Sequence, residues 1–320
     1  MVSYDGEICA LPINQTSYKV LYNKTVMEEK GITVPECWTL EEFMEIAKKL
    51  AGDDFYGTYY DATWSNLMYA PAQVAGWEMV KRDANGNVVP NFDDPIFRET
   101  MEWMYDLTVN SGACPSYATI KAESLNRRIA FAQGKSAMLV DSEYGLTWLK
   151  TYMFNDPGEG ALDFEIGIAE LPIVNEAGAD VQFIQPSACF WVPRTSKHVD
   201  EAYMFIKFVA EEITYSAAPP ISTSEETLNA VVEYTNVFTD SAGNVHEDIY
   251  PEEVVRYWYS APYDSHLVRY NYDPSLIAYT SLAETVFKEQ YTAYMTGDMS
   301  LDDLVEVLNA TCEVEFMNVQ

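Results

Sequence analysis

Apolar residues recur at helical spacing along the chain and predict several amphipathic helices. One begins at Thr39 and Glu42, which form a capping box. A second begins at Asp94, an N-cap followed by proline, and a third is predicted over 122–133. The remaining predicted helices cover 200–209 and two stretches near the C-terminus, the last of them after Ser300.

Short apolar runs between these helices predict buried strands. The predicted strands are 7–11, 137–140, 164–171 and 188–192. Pro12 is expected to end the first strand and Pro193 the last, and Trp191 lies within an apolar run, so we expect it in the core. The stretch 215–265 is rich in turn residues and is expected to be loop-rich with short elements. Mixed helices and strands of this kind indicate an α/β protein.

The composition narrows the classes of function. The chain has 320 residues, enough for about two domains, and 48% of them are hydrophobic, which excludes disorder. Its 50 Asp and Glu against 19 Lys and Arg give a net charge of −31. Because so much negative charge repels polyphosphates and anionic lipids, neither nucleic-acid binding nor membrane docking is expected. The first residues show no signal peptide, and no apolar run reaches the length of a membrane span.

Few residues carry recognisable reaction or metal chemistry. The five cysteines are scattered without a CxxC pair and are expected to be buried free thiols. The three histidines lack the spacing of a metal site, and no phosphate-binding or nucleophile motif is present. The segment 83–87 resembles a calcium loop, but Asn-Gly favours a hairpin turn. We therefore expect no metal, no cofactor and no catalytic residue.

Aromatic residues remain as candidates for binding. Trp64, Trp77, Trp148 and Trp258 lie in predicted loops or at the ends of predicted elements. A flat ring with a polar tip suits a sugar, which has both apolar faces and hydroxyl groups. Ordinary packing explains any one of these rings equally well, so their number alone does not identify a ligand.

Several motifs follow one another in a recognisable order. They are Asp5–Pro12, Tyr18, Leu21–Lys24, Gly31–Pro35, Trp38–Phe43, Ile129–Met138, Phe164–Pro172, Pro193–Phe205 and Thr296–Ser300. In this order and spacing the sequence resembles the family 1 extracellular solute-binding proteins of ABC transporters, the group that contains maltose-binding protein. The resemblance runs from about residue 4 to residue 312 and is poor over 215–265.

The resemblance implies a type II periplasmic-binding-protein-like fold, with two α/β lobes and a ligand cleft between them. Residues 1–180 would be the second, C-terminal lobe, beginning at its hinge strand. Residues 181–320 would be a remnant of the first lobe plus C-terminal helices that return to the second. The first part of the N-terminal lobe has no counterpart here, so the first lobe is expected to be incomplete.

The resemblance also implies a set of ligand-binding residues. They are Tyr18, Asp61, Trp64, Trp77, Glu143, Tyr144, Trp148, Gln185 and Trp258. Tyr144 stands where the family often has a stacking tryptophan. Packing in a hairpin is the alternative for Trp77, and packing in the core is the alternative for Trp148.

The implied function is that of an extracytoplasmic binding component of an ABC importer, on the cell surface or in the periplasm. It would bind a mono- or oligosaccharide reversibly in an aromatic-lined cleft and would be no enzyme. Its partners would be the membrane subunits of the transporter. Three alternatives stay open: a carbohydrate-active hydrolase, a truncated lobe fragment that binds no ligand and self-associates, and a binding protein for a peptide, polyamine or small cation.

Overall fold

The computed structural model describes residues 2–4, 7–35, 37–53, 55–64, 67–142, 144–155, 164–174, 184–212, 224–260 and 274–319. The chain divides into two compact units, each assembled from separate stretches of sequence. Unit 1 comprises Met1–Val34, Arg128–Glu170 and Gln182–Tyr270, and unit 2 comprises Pro35–Arg127, Leu171–Val181 and Asn271–Gln320. The lobe boundary expected at 180/181 stays a prediction.

Helices and short strands are mixed along the chain. The strands are β1 (Val2–Tyr4), β2 (Glu7–Ser17), β3 (Lys19–Asn23), β4 (Val80–Arg82), β5 (Val88–Pro90), β6 (Met138–Asp141), β7 (Ile166–Glu170), β8 (Ile184–Phe190), β9 (Phe238–Thr239) and β10 (Val245–His246). The helices are α1 (Lys24–Glu29), α2 (Leu40–Leu50), α3 (Ala70–Val74), α4 (Pro95–Tyr105), α5 (Tyr117–Glu123), α6 (Arg127–Ala132), α7 (Gly145–Asn155), α8 (Val199–Glu212), α9 (Glu225–Asn236), α10 (Glu252–Ser260), α11 (Ile277–Met295) and α12 (Leu301–Phe316). This mixture confirms the predicted α/β class. Among the described residues, no helix combines the length and the apolar character needed to cross a membrane.

Strand β3 is the centre of a three-stranded antiparallel sheet in unit 1, in the order β6–β3–β7. Val20 and Leu21 of this strand are fully buried. Leu21 belongs to a core cluster that also contains Leu149 of α7, Val231 of α9 and Trp258 of α10. Apolar burial on this scale fixes the sheet, and with it the charged residues at its end.

Strand β2 continues well beyond Pro12, which was expected to end it. It pairs with β8 as far as Ser17, and the register shifts on both sides of Asn14. Because proline has no N–H group to donate to a neighbouring strand, it is tolerated where the pairing is irregular. The prediction that the strand stops at Pro12 was therefore wrong.

Helix α8 carries apolar side chains on two opposite sides. Ile206 is buried, whereas Met204, Phe205 and Phe208 are 70%, 58% and 60% exposed. A helix that is apolar all round is normally covered on every side.

Trp191 is also exposed, at 67%, because β8 ends one residue before it, so its expected place in the core was wrong.

Aromatic packing forms the core of unit 2. Trp77 stacks on Phe97, with ring centroids 4.9 Å apart and an angle of 25° between the planes. Phe92 and Phe287 complete the group, and all four rings are buried. Such rings bury large apolar areas and favour offset or edge-to-face contacts.

Three predicted helix starts are confirmed. The Thr39 hydroxyl accepts from the Glu42 amide at 3.2 Å, and the Thr39 amide donates to the Glu42 carboxylate at 2.8 Å, so both halves of the capping box form. Asp94 and Ser300 cap α4 and α12 in the same way, each accepting from a first-turn amide. These caps satisfy backbone donors that a helix leaves free at its start.

The helix expected over 122–133 is two helices. Helix α5 ends at Glu123, and Ser124 takes the left-handed conformation with φ at +50° before α6 begins at Arg127. A non-glycine residue with positive φ interrupts a right-handed helix. The predicted single helix was wrong, and the break places Arg127 in the first turn of a new helix.

The segment 83–87 turns between β4 and β5, so the predicted hairpin is confirmed. The Asp83 carboxylate accepts from the amides of Asn85 and Asn87, both at 2.8 Å. Gly86 has φ at +87°, a conformation that glycine adopts without steric cost.

Of the stretch 215–265 the structure describes 224–260, and more than half of these residues are helical. Helix α9 is capped by Ser224, α10 follows, and β9 and β10 form a hairpin between them. Buried Lys150 of α7 holds the end of α9: its amine donates to the carbonyl oxygens of Tyr234, Thr235 and Val237 at 2.8, 3.1 and 3.0 Å. Over 224–260 the expectation of loop with only short elements was wrong: the two helices have 12 and 9 residues, and a residue far away in sequence completes the end of the first.

Four described cysteines are free, as expected. Cys114 and Cys312 are buried, and burial raises the pKa of each thiol to about 12, so both stay neutral. Cys189 is half-buried and Cys37 is exposed, which corrects the expectation that all of them are buried.

Lys150→Met is expected to lower the free energy of unfolding by about 2–3 kcal/mol, since three carbonyl oxygens lose their donor. Urea denaturation followed by circular dichroism measures this change. Lys48→Met, at an exposed position of α2, is the control and should stay within about 0.5 kcal/mol of the wild type. Equal losses in the two variants would contradict the role given to Lys150.

Candidate functional site

The loop that follows two buried tyrosines in unit 2 carries Asp61 and Trp64. The Asp61 carboxylate accepts from the Thr63 amide at 3.0 Å and from the Thr63 hydroxyl at 2.6 Å. An aspartate that accepts from the backbone two residues ahead is typical of a tight turn. This turn sets the direction in which the chain reaches Trp64, which is partly exposed.

Arg127 binds both residues of this loop. Its Nη1 lies 3.0 Å from Oδ2 of Asp61, and its guanidinium lies 4.3 Å from the centroid of the Trp64 ring. The side chains of the ion pair are only 12% and 11% exposed. One arginine thus neutralises a nearly buried carboxylate and positions an indole ring by a cation–π contact.

Tyr59 adds a polar group to the same neighbourhood. Its hydroxyl is buried and has no hydrogen-bond partner among the residues that the structure describes. Burial, together with the charge of Asp61, raises the pKa of Tyr59 well above its usual value, so the hydroxyl stays protonated. It remains able both to donate and to accept a hydrogen bond.

A second cluster lies at one end of the β6–β3–β7 sheet in unit 1. Lys19 is fully buried and stands opposite Asp141 on one side and Glu170 on the other. Its amine lies 2.6 Å from Glu170, which also accepts from the Tyr257 hydroxyl at 2.5 Å. Burial lowers the pKa of Lys19, although the Glu170 carboxylate opposes this effect.

Asp141 is fully buried beside this pair and is bound by Arg128. The guanidinium Nε and Nη2 reach the two carboxylate oxygens at 2.5 and 2.9 Å, and the Ser142 amide donates to Oδ1 at 2.8 Å. Such two-point binding fixes direction as well as distance. These bonds fix the end of β6, three residues before Tyr144.

Two of the predicted aromatic residues lie at this end of the sheet. Tyr18 immediately precedes β3, and Tyr144 follows β6 by three residues; β3 and β6 are antiparallel, so both lie at the same end. Tyr18 is buried, whereas Tyr144 is partly exposed. Trp148 lies one helical turn further along α7 and is 45% exposed, so the alternative that it belongs to the core is wrong.

Trp77 and Trp258 are core residues in this structure. Trp77 is closed in by the rings of unit 2, and its indole N–H donates to the Asn91 carbonyl at 2.7 Å. Trp258 is fully buried, with its ring against Gly145. Because neither ring presents a face to solvent, we assign both to packing and leave them out of the candidate site.

Glu143 and Gln185 are the two remaining predicted ligand residues. Glu143 lies outside the described residues. Gln185 lies in β8 opposite Thr16, and its side chain is outside the described part of the chain.

A groove of about 780 Å³ lies elsewhere in unit 1, beside α9 and α10. Five carboxylate side chains line it: Glu165, Glu233, Glu247, Asp248 and Glu252. None of the predicted ligand residues lines this groove. Among the described residues, no group of three or more His, Cys, Asp and Glu side chains is arranged to hold a metal ion.

Apart from Asp61, sequence analysis did not name the charged residues that organise the two clusters. Arg127 and Arg128 are adjacent basic residues in a chain with 31 more acidic than basic groups, but Lys48–Lys49 and Lys81–Arg82 share this pattern, so it does not single them out. Asp141 directly follows an apolar strand, which is a usable signal. Nothing local in the sequence pairs Lys19 with Glu170, which lies 151 residues away.

Arg127→Ala is expected to destabilise the protein by about 2–3 kcal/mol, because it leaves the Asp61 carboxylate nearly buried and without its cation. Arg98→Ala is the matched control: Arg98 pairs with Asp302 on the surface, where an ion pair contributes less than about 1 kcal/mol. Chemical denaturation measures both changes.

The double variant Asp61→Asn/Arg127→Ala should recover part of the loss, because a neutral amide costs less to bury than an unpaired carboxylate. If Arg127→Ala is no more harmful than Arg98→Ala, the ion pair does not hold the loop.

Comparison with known proteins identifies the family and the fold of the chain. The family model of the bacterial extracellular solute-binding proteins matches residues 1–218. The comparison with curated proteins gave no significant match. Among solved structures, a sugar transporter protein from Rhizobium etli in an open conformation superposes with a TM-score of 0.72 at 22% identity, over 97% of this chain and 73% of that one.

Two further structures give the same result. An ABC substrate-binding protein from Listeria monocytogenes in complex with cycloalternan has a TM-score of 0.69 at 17% identity, over 99% of this chain and 74% of that one. The maltose/maltodextrin-binding domain from Bdellovibrio bacteriovorus, bound to maltotriose, has a TM-score of 0.62 at 18% identity, over 98% and 74%. The chain thus spans about three quarters of the length of these structures and has their type II periplasmic-binding-protein-like fold. With the family model covering more than half of its residues, the chain belongs to the bacterial extracellular solute-binding proteins.

Proposed function

We propose that this protein binds a carbohydrate reversibly, outside the cytoplasm, and presents it to the membrane subunits of an ABC importer. The observation that carries the proposal is the pairing of partly exposed aromatic rings with ordered charged groups. Trp64 is held beside Asp61 and Arg127, and Tyr144 follows the buried Asp141–Arg128 pair.

This pairing suits the chemistry of a sugar. The C–H groups of a pyranose ring pack against an aromatic face, and its hydroxyls take hydrogen bonds from fixed polar side chains. An indole already fixed by a guanidinium loses little further side-chain entropy when a ligand arrives. Binding of this kind involves no bond making or breaking, which agrees with a protein whose sequence offers no catalytic constellation.

The solved relatives support the same ligand class. The Listeria monocytogenes protein binds cycloalternan, the Bdellovibrio bacteriovorus domain binds maltotriose, and the Rhizobium etli protein is a sugar transporter protein. Membership of an extracellular family supports a location outside the cytoplasm. The expected aromatic-lined cleft stays a prediction.

Isothermal titration calorimetry with a panel of mono-, di- and oligosaccharides tests the proposal. We expect saturable binding of at least one sugar, recovered unchanged after dialysis. Spermidine belongs in the panel because the net charge of −31 favours cations. Binding of spermidine with no sugar bound, or conversion of a sugar into products, would overturn the proposal.

Trp64→Ala and Tyr144→Ala should each weaken binding of that sugar about tenfold, the loss of one stacking contact of about 1.4 kcal/mol. Trp191→Ala and Tyr203→Ala are matched controls, because both residues are exposed aromatics outside the proposed site. The controls should stay within twofold of the wild type. Unchanged affinity in both Trp64→Ala and Tyr144→Ala would show that the sugar binds elsewhere.

A further inference from the structure

Helix α7 has one apolar face in the core and a second aromatic face outside it. Leu146, Leu149 and Met153 are buried in the core of unit 1. Trp148 and Tyr152 lie outside this set, Trp148 at 45% exposure and Tyr152 partly exposed. Packing of the core therefore explains the apolar residues of the first face but does not explain why the second face is aromatic.

The aromatic residues of the second face follow one another at the spacing of one helical turn. Tyr144 accepts from the Trp148 amide at 3.0 Å, so it belongs to the first turn, and Tyr152 is four residues beyond Trp148. Residues four apart lie on the same side of a helix, with a rise of about 6 Å between them. We call Tyr144, Trp148 and Tyr152 the aromatic row.

The ring geometry within the row is that of neighbours, not of a closed stack. The Trp148 and Tyr152 ring centroids are 6.2 Å apart, and the ring planes are 29° from parallel. This distance is too long for full face-to-face contact and is typical of offset rings. Apolar ring surface is thus left over for a further molecule.

We infer that the aromatic row binds successive sugar units of an oligosaccharide, so that the ligand class is a glycan chain rather than a monosaccharide. This inference rests on the proposed function and extends it from Tyr144 outward to Tyr152. A single pyranose is about as wide as one aromatic ring and covers only one member of the row. Rings repeated along a helix offer a second and third unit of a chain the same apolar contact as the first.

The charge of the surroundings agrees with a neutral glycan. The chain carries a net charge of −31, which disfavours an anionic ligand. Thr147 and Thr151 lie on the same helix, but their hydroxyls are not free for a ligand: that of Thr151 donates to the Thr147 carbonyl at 3.0 Å, and that of Thr147 is buried. The row itself consists of three uncharged aromatic side chains, and the apolar faces of an uncharged sugar match them better than a charged ligand does.

The test compares affinity with chain length in two series, malto-oligosaccharides and cello-oligosaccharides of one to six units, by calorimetry. In the wild type, affinity should rise from the monosaccharide to the trisaccharide of the series that binds. Tyr152→Ala should weaken trisaccharide and longer ligands about tenfold and leave the disaccharide within twofold. Trp148→Ala should weaken everything longer than the monosaccharide.

Thr151→Ala, on the same helix, and Tyr203→Ala, an exposed tyrosine elsewhere, are the controls and should leave the length dependence unchanged. Affinity that does not depend on length, or a Tyr152→Ala variant that behaves as the wild type, overturns the inference while the proposed function stands. Binding of monosaccharides alone has the same meaning. Failure of every sugar to bind, with the chain shown to be folded by circular dichroism, overturns the proposed function itself.

Discussion

Positive charge is scarce in this chain, and several of its cations are placed inside the protein. Lys19, Arg127 and Lys150 have buried or nearly buried side chains, each compensated by carboxylate or carbonyl oxygens at hydrogen-bond distance. A buried charge without such partners would cost several kcal/mol. The segments that supply these oxygens must therefore lie within hydrogen-bond distance of each cation. The loop of Trp64, the end of the β6–β3–β7 sheet and the end of α9 all depend on this requirement.

Two consecutive arginines form such charge-compensating pairs, one in each unit. Arg127, the last residue of a stretch of unit 2, binds Asp61 there, whereas Arg128, the first residue of a stretch of unit 1, binds Asp141 there. The first turn of α6 is therefore bonded on both sides of the point at which the chain passes from one unit to the other. The left-handed residue just before it, Ser124, separates this turn from α5.

Sequence analysis predicted features that depend on neighbours in the chain and failed where distant residues decide. The caps at Thr39 and Ser300 use partners three residues away, so their pattern is visible locally. The ion pair of Arg127 joins residues 66 positions apart, and no spacing rule reaches that far. The exposure of a side chain could not be predicted either. Trp77 and Trp148 both lie in predicted loops or at the ends of predicted elements, yet Trp77 is buried in the core and Trp148 is exposed.

The apolar side of α8 gives the protein a particular dependence on its solvent. Met204, Phe205 and Phe208 form a surface that water disfavours and that other apolar surfaces attract. At low ionic strength the net charge of −31 keeps molecules apart. Salt shortens the reach of that repulsion to about 10 Å at 0.1 M and leaves the apolar attraction intact. Association of molecules through α8 is therefore expected to increase with the salt concentration of the buffer.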